Sequence, residues 1–180
     1  MISLIAPARQ RARWPVFALI GVGLALAAYA HQSTSRAPIV FNDSASVPIG
    51  FWVRHPFNPR DIHIGSVIGF RPNRLAMRYV RPFMPEYVKR MTIQKYVAGI
   101  PGDIICRHGR AFSINGDVLG IAATHDGEGN PLPSWHGCQT LRRGQYAVFS
   151  DRISNSFDSR YYGAVPVRDI RGIYKPVMTW

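Results

Sequence analysis

The chain has 180 residues, 47% of them hydrophobic and 18% charged, with 16 glycines and 14 prolines. That composition excludes a wholly disordered polymer and favours a turn-rich β fold over a helical bundle. The formal net charge of +12 fits three partners in principle: nucleic acid, an anionic membrane surface or an acidic protein. Its arginines are dispersed rather than clustered, which argues against a nucleic-acid stripe.

Residues 1–13 are a basic segment carrying Arg9, Arg11 and Arg13. Within residues 14–31, an uncharged and mostly apolar run from Pro15 to Ala30 is edged by Trp14 and Tyr29. The run approaches the roughly 20 residues of a spanning helix, and the arginines place its N-terminal side in the cytoplasm. Ala28 and Ala30 also supply the small-x-small pattern of a cleavage site, so a removable signal peptide is the competing reading. Either reading exports residues 32–180 as one extracytoplasmic domain.

Residues 41–52, FNDSASVPIGFW, combine turn formers with two serines, which ordinarily cap or bond locally. A strand is predicted over 50–54, a turn over 55–59, a second strand over 65–70 and a short helix over 75–81. Residues 90–98 are rich in β-formers and alternate in part, predicting another strand that a turn at 99–103 closes, with Asp103 as a turn residue. Asn115-Gly116 between apolar runs predicts a hairpin over 111–121. Residues 122–137 are a surface excursion, and strands follow over 144–149 and 171–177. Exported cysteines pair, which makes Cys106 and Cys138 a candidate disulfide at the base of the excursion. The expected fold is mainly β and antiparallel, with little helix.

Most routes to catalysis find no material. Two glutamates, Glu86 and Glu128, leave little for a paired-carboxylate hydrolase. The six histidines are scattered without zinc-like spacing, and residues 126–130 are too short for a calcium loop. No metal or cofactor is expected. A serine with a lysine base needs a lysine buried among apolar neighbours, because desolvation disfavours the ammonium form. Of Lys89, Lys95 and Lys175, only Lys95 lies in such a strand, beside Ile93, Tyr96, Val97 and Ala98. The competing reading of Lys95 is a strand-edge side chain snorkelling to water.

Three segments in order carry a family resemblance. Ser44-Ala-Ser46-Val-Pro48-Ile-Gly50-Phe-Trp52 resembles the serine motif of type I signal peptidases, in the Pro-x-Gly-aromatic version of TraF-like conjugative transfer peptidases. The segment from Lys95 to Pro101-Gly102-Asp103 resembles the lysine motif. Ser150-Asp151 with Asn155-Ser156-Phe157-Asp158-Ser159-Arg160 and Gly163 resembles the third signature. Val47 and Tyr96 depart from the housekeeping signal peptidase pattern and favour the TraF-like branch.

The resemblance implies a signal-peptidase-like antiparallel β fold behind an N-terminal transmembrane or signal helix. It implies Ser46 as nucleophile, Lys95 as general base, and the Ser46 N–H with the Ser44 hydroxyl as oxyanion hole. Asp158 and Arg160 would buttress the site, or form a purely structural ion pair, while Ser156 and Ser159 would orient Lys95. The implied task is maturation of a pilin precursor, cyclised in some such peptidases, at the periplasmic side of the inner membrane alongside other conjugative type IV secretion components. Two rivals remain: a general signal peptidase acting on many exported proteins, and a non-catalytic periplasmic scaffold of a transfer apparatus.

Overall fold

The computed structural model describes residues 17–25, 38–83 and 91–180. The chain divides into two units, residues Met1–Thr34 and Ser35–Trp180. In the first, residues 17–25 form helix α1 with exposed side chains. No helix among the described residues is long and apolar enough to cross a membrane. The rest of the expected 14–31 segment, the basic residues 1–13, Glu86 and Lys89 lie outside the described residues.

The second unit is mainly β. Its larger sheet has seven strands in the order β1 (Ile39–Asn42), β2 (Gly50–His55), β11 (Ile170–Thr179), β3 (Val67–Phe70), β4 (Ile93–Gly99), β9 (Gln145–Phe149) and β10 (Val165–Pro166). The smaller sheet orders β7 (Asp117–Ile121), β6 (Ala111–Ile114), β5 (Ile104–His108) and β8 (Gly137–Thr140). All neighbouring strands named in the two sheets pair antiparallel. The expected 111–121 hairpin forms across Asn115-Gly116, with Asn115 at φ 54° and Gly116 at φ 96°.

Strand β4 shows why the site sits where it does. Its residues alternate buried and half-buried along the whole strand, the period-2 signature of a strand with one face in a core. Ile93 and Val97 join Ile68, Phe70, Val148 and Tyr161 in the main core, and Lys95 lies between them on the same face. Across the sheet, Val47, Trp52, Val67 and Tyr174 form a second cluster. Burying a side chain such as Phe70 or Trp52 contributes about 1.5–3 kcal/mol, so the serine turn is fastened to the sheet by its own Val47.

Helix α2 (Arg74–Phe83) exposes Arg74, Arg78 and Arg81 and buries Ala76 and Val80. Asn73 starts it: Oδ1 accepts from the backbone N–H groups of Leu75 and Ala76 at 3.1 and 3.0 Å, a capping arrangement. Its Nδ2 donates to the Tyr162 carbonyl at 2.7 Å, which ties α2 to the short helix α3 (Ser159–Tyr162).

Gly50 ends the serine turn at φ +139°, and a Cβ built there would lie 2.1 Å from the Met178 carbonyl oxygen on β11. Only glycine allows both the conformation and the approach. Gly50→Ala is expected to cost about 1–3 kcal/mol from the conformation alone, read as a lower urea midpoint. An unchanged midpoint would show that the turn relaxes without loss.

Candidate active site

The serine turn is held from inside by Asn42, a residue that the sequence marks only as a turn former. Asn42 is buried, and its Nδ2 donates to the carbonyls of Ser44 (2.8 Å), Val47 (3.3 Å) and Pro48 (3.1 Å). Its Oδ1 accepts from the Ser44 N–H at 3.4 Å. Trp52 Nε1 donates to the Pro48 carbonyl at 3.0 Å, and Ser150 Oγ donates to the Ser46 carbonyl at 2.6 Å. Together these bonds fix the backbone on both sides of Ser46, which is 1% exposed.

Lys95 reaches this turn from β4. It is paired with Ile68 in the ladder and is 5% exposed, and its Nζ lies 2.5 Å from Ser46 Oγ. Among the described residues no carboxylate contacts the ammonium, so burial dominates and pushes its pKa down to about 8; the Asp158 charge opposes this and the Arg160 charge reinforces it. Ser44 Oγ stands 3.0 Å from Ser46 Oγ. Ser46 Oγ thus contacts both a weakly basic amine and a second hydroxyl. A neutral amine in this position can accept the serine proton, and a hydroxyl donor beside the nucleophile can face developing oxyanion charge.

Asp158 and Arg160 lie behind this centre. Asp158 is wholly buried, and Arg160 Nε and Nη2 each reach one of its oxygens at 2.9 Å, the bidentate fork of a strong charge-assisted pair. Arg160 Nη2 also donates to the Ser156 carbonyl at 2.9 Å, and Asp158 Oδ2 accepts from the Ser150 N–H at 3.3 Å. The guanidinium covers the Phe149 ring at 4.9 Å. This pair organises the backbone of the 150–160 loop, whose Ser150 in turn holds Ser46. Ser159 faces elsewhere: its Oγ accepts from the Val148 N–H at 2.9 Å. Ser156 is buried and lines the cleft with Lys95, and its Oγ has no hydrogen-bond partner among the described residues.

The other singled-out residues fall outside this centre. Asp103 holds its turn by accepting from the Ile100 N–H and the Asn115 side chain, both at 2.8 Å. Lys175 is exposed on β11. Asp126 knots its own loop through Tyr79, Asn130 and the Glu128 N–H. Cys106 and Cys138 are bonded at paired positions of β5 and β8.

A cleft of about 610 Å³ opens over Ser44 and Lys95, walled by Asn42, Thr92, Ser156 and Phe157. One side of β4 is free there. Strand β9 pairs with it at Tyr96, Val97 and Gly99, and among the described residues no strand continues that ladder past Ile93 to Lys95. A free ladder edge beside a cleft accommodates an extended peptide.

Comparison with known proteins places this arrangement. The family described as signal peptidase, peptidase S26, matches residues 11–180. A plasmid transfer protein TraF of Escherichia coli is 27% identical over 172 residues, covering 89% of this chain and 92% of that protein. A second E. coli protein of that name is 30% identical over 91 residues, so the match spans about half of each, 49% of this chain and 51% of the other. A probable conjugal transfer protein TraF of Sinorhizobium fredii is 28% identical over 148 residues, 77% of this chain and 76% of its own. The crystal structure of a signal peptidase I from Enterococcus faecalis aligns with a TM-score of 0.35 at 19% identity, over 62% of this chain and 94% of that one. The family match runs through the serine turn, the lysine strand and the 150–160 loop alike, and the chain belongs to the signal peptidase family, peptidase S26.

Proposed function

We propose that the chain is a serine endopeptidase with a Ser46–Lys95 dyad that matures, and is able to cyclise, a pilin precursor for conjugative plasmid transfer. The observation that carries this reading is the 2.5 Å contact between Lys95 Nζ and Ser46 Oγ in a buried setting. Neutral Lys95 takes the Ser46 proton as Oγ attacks the scissile carbonyl of a peptide laid along the free edge of β4. The oxyanion forms between the Ser46 N–H and the Ser44 hydroxyl. Protonated Lys95 then gives its proton to the leaving amine, which leaves an acyl-enzyme on Ser46. Water, or an amine at the substrate's own N-terminus, attacks the ester with Lys95 again as base.

The conjugative role is supported by the relatives named plasmid transfer protein TraF. A place at the inner membrane, on its periplasmic side, is supported by an exposed apolar surface beside the serine turn. Phe41, Phe51, Val177, Met178 and Trp180 are all exposed there. The Phe41 ring lies 5.2 Å from Phe51 and 6.2 Å from Trp180. So contiguous an apolar patch marks a partner or a bilayer.

The test is the intact mass of a co-expressed candidate pilin precursor. With the wild-type chain the mass is expected to fall by the removed segment, and by one further water if the product is cyclic. With Ser46→Ala the precursor should persist; processing by that variant would sink the proposal.

The pH dependence follows from the lowered pKa of Lys95. The base works only when neutral, so the rate should climb with pH, with a midpoint near the pKa of about 8. The neutral fraction is then roughly a tenth at pH 7 and nine tenths at pH 9. A single-turnover cleavage assay across this range checks it, and a rate constant with pH would argue against a lysine base.

A further inference from the structure

The smaller sheet gathers four residues that the peptidase reading leaves unused. Strand β5 carries Cys106-Arg107-His108, and the chain enters β8 through His136-Gly137-Cys138. The antiparallel register pairs Cys106 with Cys138 and ends at Arg107 with Gly137, one residue short of His108 and His136. On β5, Cys106 and His108 are two residues apart and share a face of the strand, while His136 enters β8 through Gly137 at φ 87°. Arg107 points the other way, buried, with Nη1 donating to the Arg160 carbonyl at 2.6 Å. His108, His136 and Cys138 are exposed.

We propose that this face is a cation site opened by reduction, in which Cys106, Cys138 and His108 bind a tetrahedral, borderline-soft divalent metal of the zinc class, with His136 as the fourth ligand. The ligand atoms of Cys106, His108 and Cys138 already lie within 4.8 Å of one another. Cys138 Sγ is 3.4 Å from His108 Nε2. A tetrahedral zinc with bonds of about 2.3 Å to sulfur and 2.0 Å to nitrogen sets sulfur and nitrogen roughly 3.5 Å apart and its two sulfurs roughly 3.8 Å apart. The sulfur-to-imidazole edge is thus in place, and side-chain rotation separates the sulfurs once their bond is cut. His136 Nε2 now meets Ser134 Oγ at 3.3 Å and exchanges that contact for the metal. A disulfide staple accounts for two cysteines; it does not account for the His108 imidazole set 3.4 Å from the Cys138 sulfur.

The chemistry balances with a dithiol as reductant. One of its thiolates attacks a cysteine sulfur, the Cys106–Cys138 bond breaks, and its second thiolate resolves the mixed disulfide. Two electrons and two protons pass to the protein, which then carries two thiols, and the reductant leaves as its own disulfide. Metal binding displaces the two thiol protons, because cysteine coordinates as thiolate.

The experiment takes the full chain, reduced anaerobically with a dithiol, desalted and titrated with cobalt(II). One equivalent is expected to give thiolate-to-cobalt charge-transfer absorption and tetrahedral visible bands, both erased by zinc(II). The oxidised chain should show neither, and His108→Ala should weaken binding at least tenfold. Near-ultraviolet circular dichroism follows the fold in the same samples. If reduction alone unfolds the chain, adding metal should restore the native spectrum. The proposal fails if the reduced chain shows no thiolate band, if the oxidised chain shows one, if His108→Ala binds undiminished, or if metal does not rescue an unfolded reduced chain. Peptide cleavage is not the readout, so the result is independent of the Ser46–Lys95 reading.

Discussion

Lys95→Met is expected to reduce peptide cleavage by about 10³-fold or more while leaving the urea midpoint equal to or above that of the wild type. The two halves of this expectation have one cause. Lys95 is 5% exposed and among the described residues no carboxylate contacts its ammonium, so the fold carries a desolvation cost that the Asp158 charge offsets only in part and that appears as a pKa lowered to about 8. Methionine fills much of the same volume and removes that cost. A lysine kept for stability would show the reverse pattern, with a lower midpoint and residual activity. Ser46→Ala should match the activity loss, and the double variant Ser46→Ala/Lys95→Met should be little worse than either single one, since residues acting as a unit are not additive. A double variant slower than the singles by the product of their effects would show that the two residues act independently. A Lys95→Met variant that keeps its activity would remove the base altogether.

The burial of Lys95 was legible because two local rules agree there, while Ser46 as its partner was read from the family resemblance. The strand alternates, and the one lysine within it falls on the face of Ile93 and Val97, so the same pattern that predicts burial also predicts a depressed pKa. The predicted strands over 50–54, 65–70, 90–98, 144–149 and 171–177 appear as β2, β3, β4, β9 and β11 with no end shifted by more than three residues. Strands β1, β5, β8 and the two-residue β10 were not predicted. The first is four residues long, and β8 (GCQT) is polar and exposed on most of its length, so neither carries an apolar alternation to read; cross-strand pairing makes them strands. Asn42 was invisible as a positioning group for a similar reason. An asparagine before a serine turn looks like a turn former, and its three carbonyl contacts exist only once the turn has closed. The proximity of His108 to Cys138 escapes a search for linear metal spacing, because the pairing of β5 with β8 alone brings them together. The sequence likewise allowed Ser159 a place beside Lys95, whereas its hydroxyl holds β9 through Val148.

Asp158→Ala is expected to cost about 3–5 kcal/mol, because it strands the Arg160 guanidinium without its partner in a buried site. The loss reaches further than one ion pair. Asp158 is 0% exposed, and Arg160 bridges it to the Ser156 carbonyl while the carboxylate also holds the Ser150 N–H. Ser150 in turn fixes the Ser46 carbonyl at 2.6 Å, so release of Asp158 loosens the backbone of Ser46. Arg160→Lys should not rescue the site, since an ammonium cannot reproduce the two-pronged contact. The pH profile separates this buttressing from an electrostatic influence on the base. The Asp158 charge raises the pKa of Lys95 and the Arg160 charge lowers it. A folded Asp158→Asn chain therefore loses the raising contribution, and its rate midpoint should move below that of the wild type, with maximal activity reached at lower pH. If Asp158 acts only through packing, the folded fraction should fall with the midpoint unmoved. A chain of wild-type stability and unchanged pH midpoint would contradict both, and would mean that the 150–160 loop holds Ser46 without its buried charges.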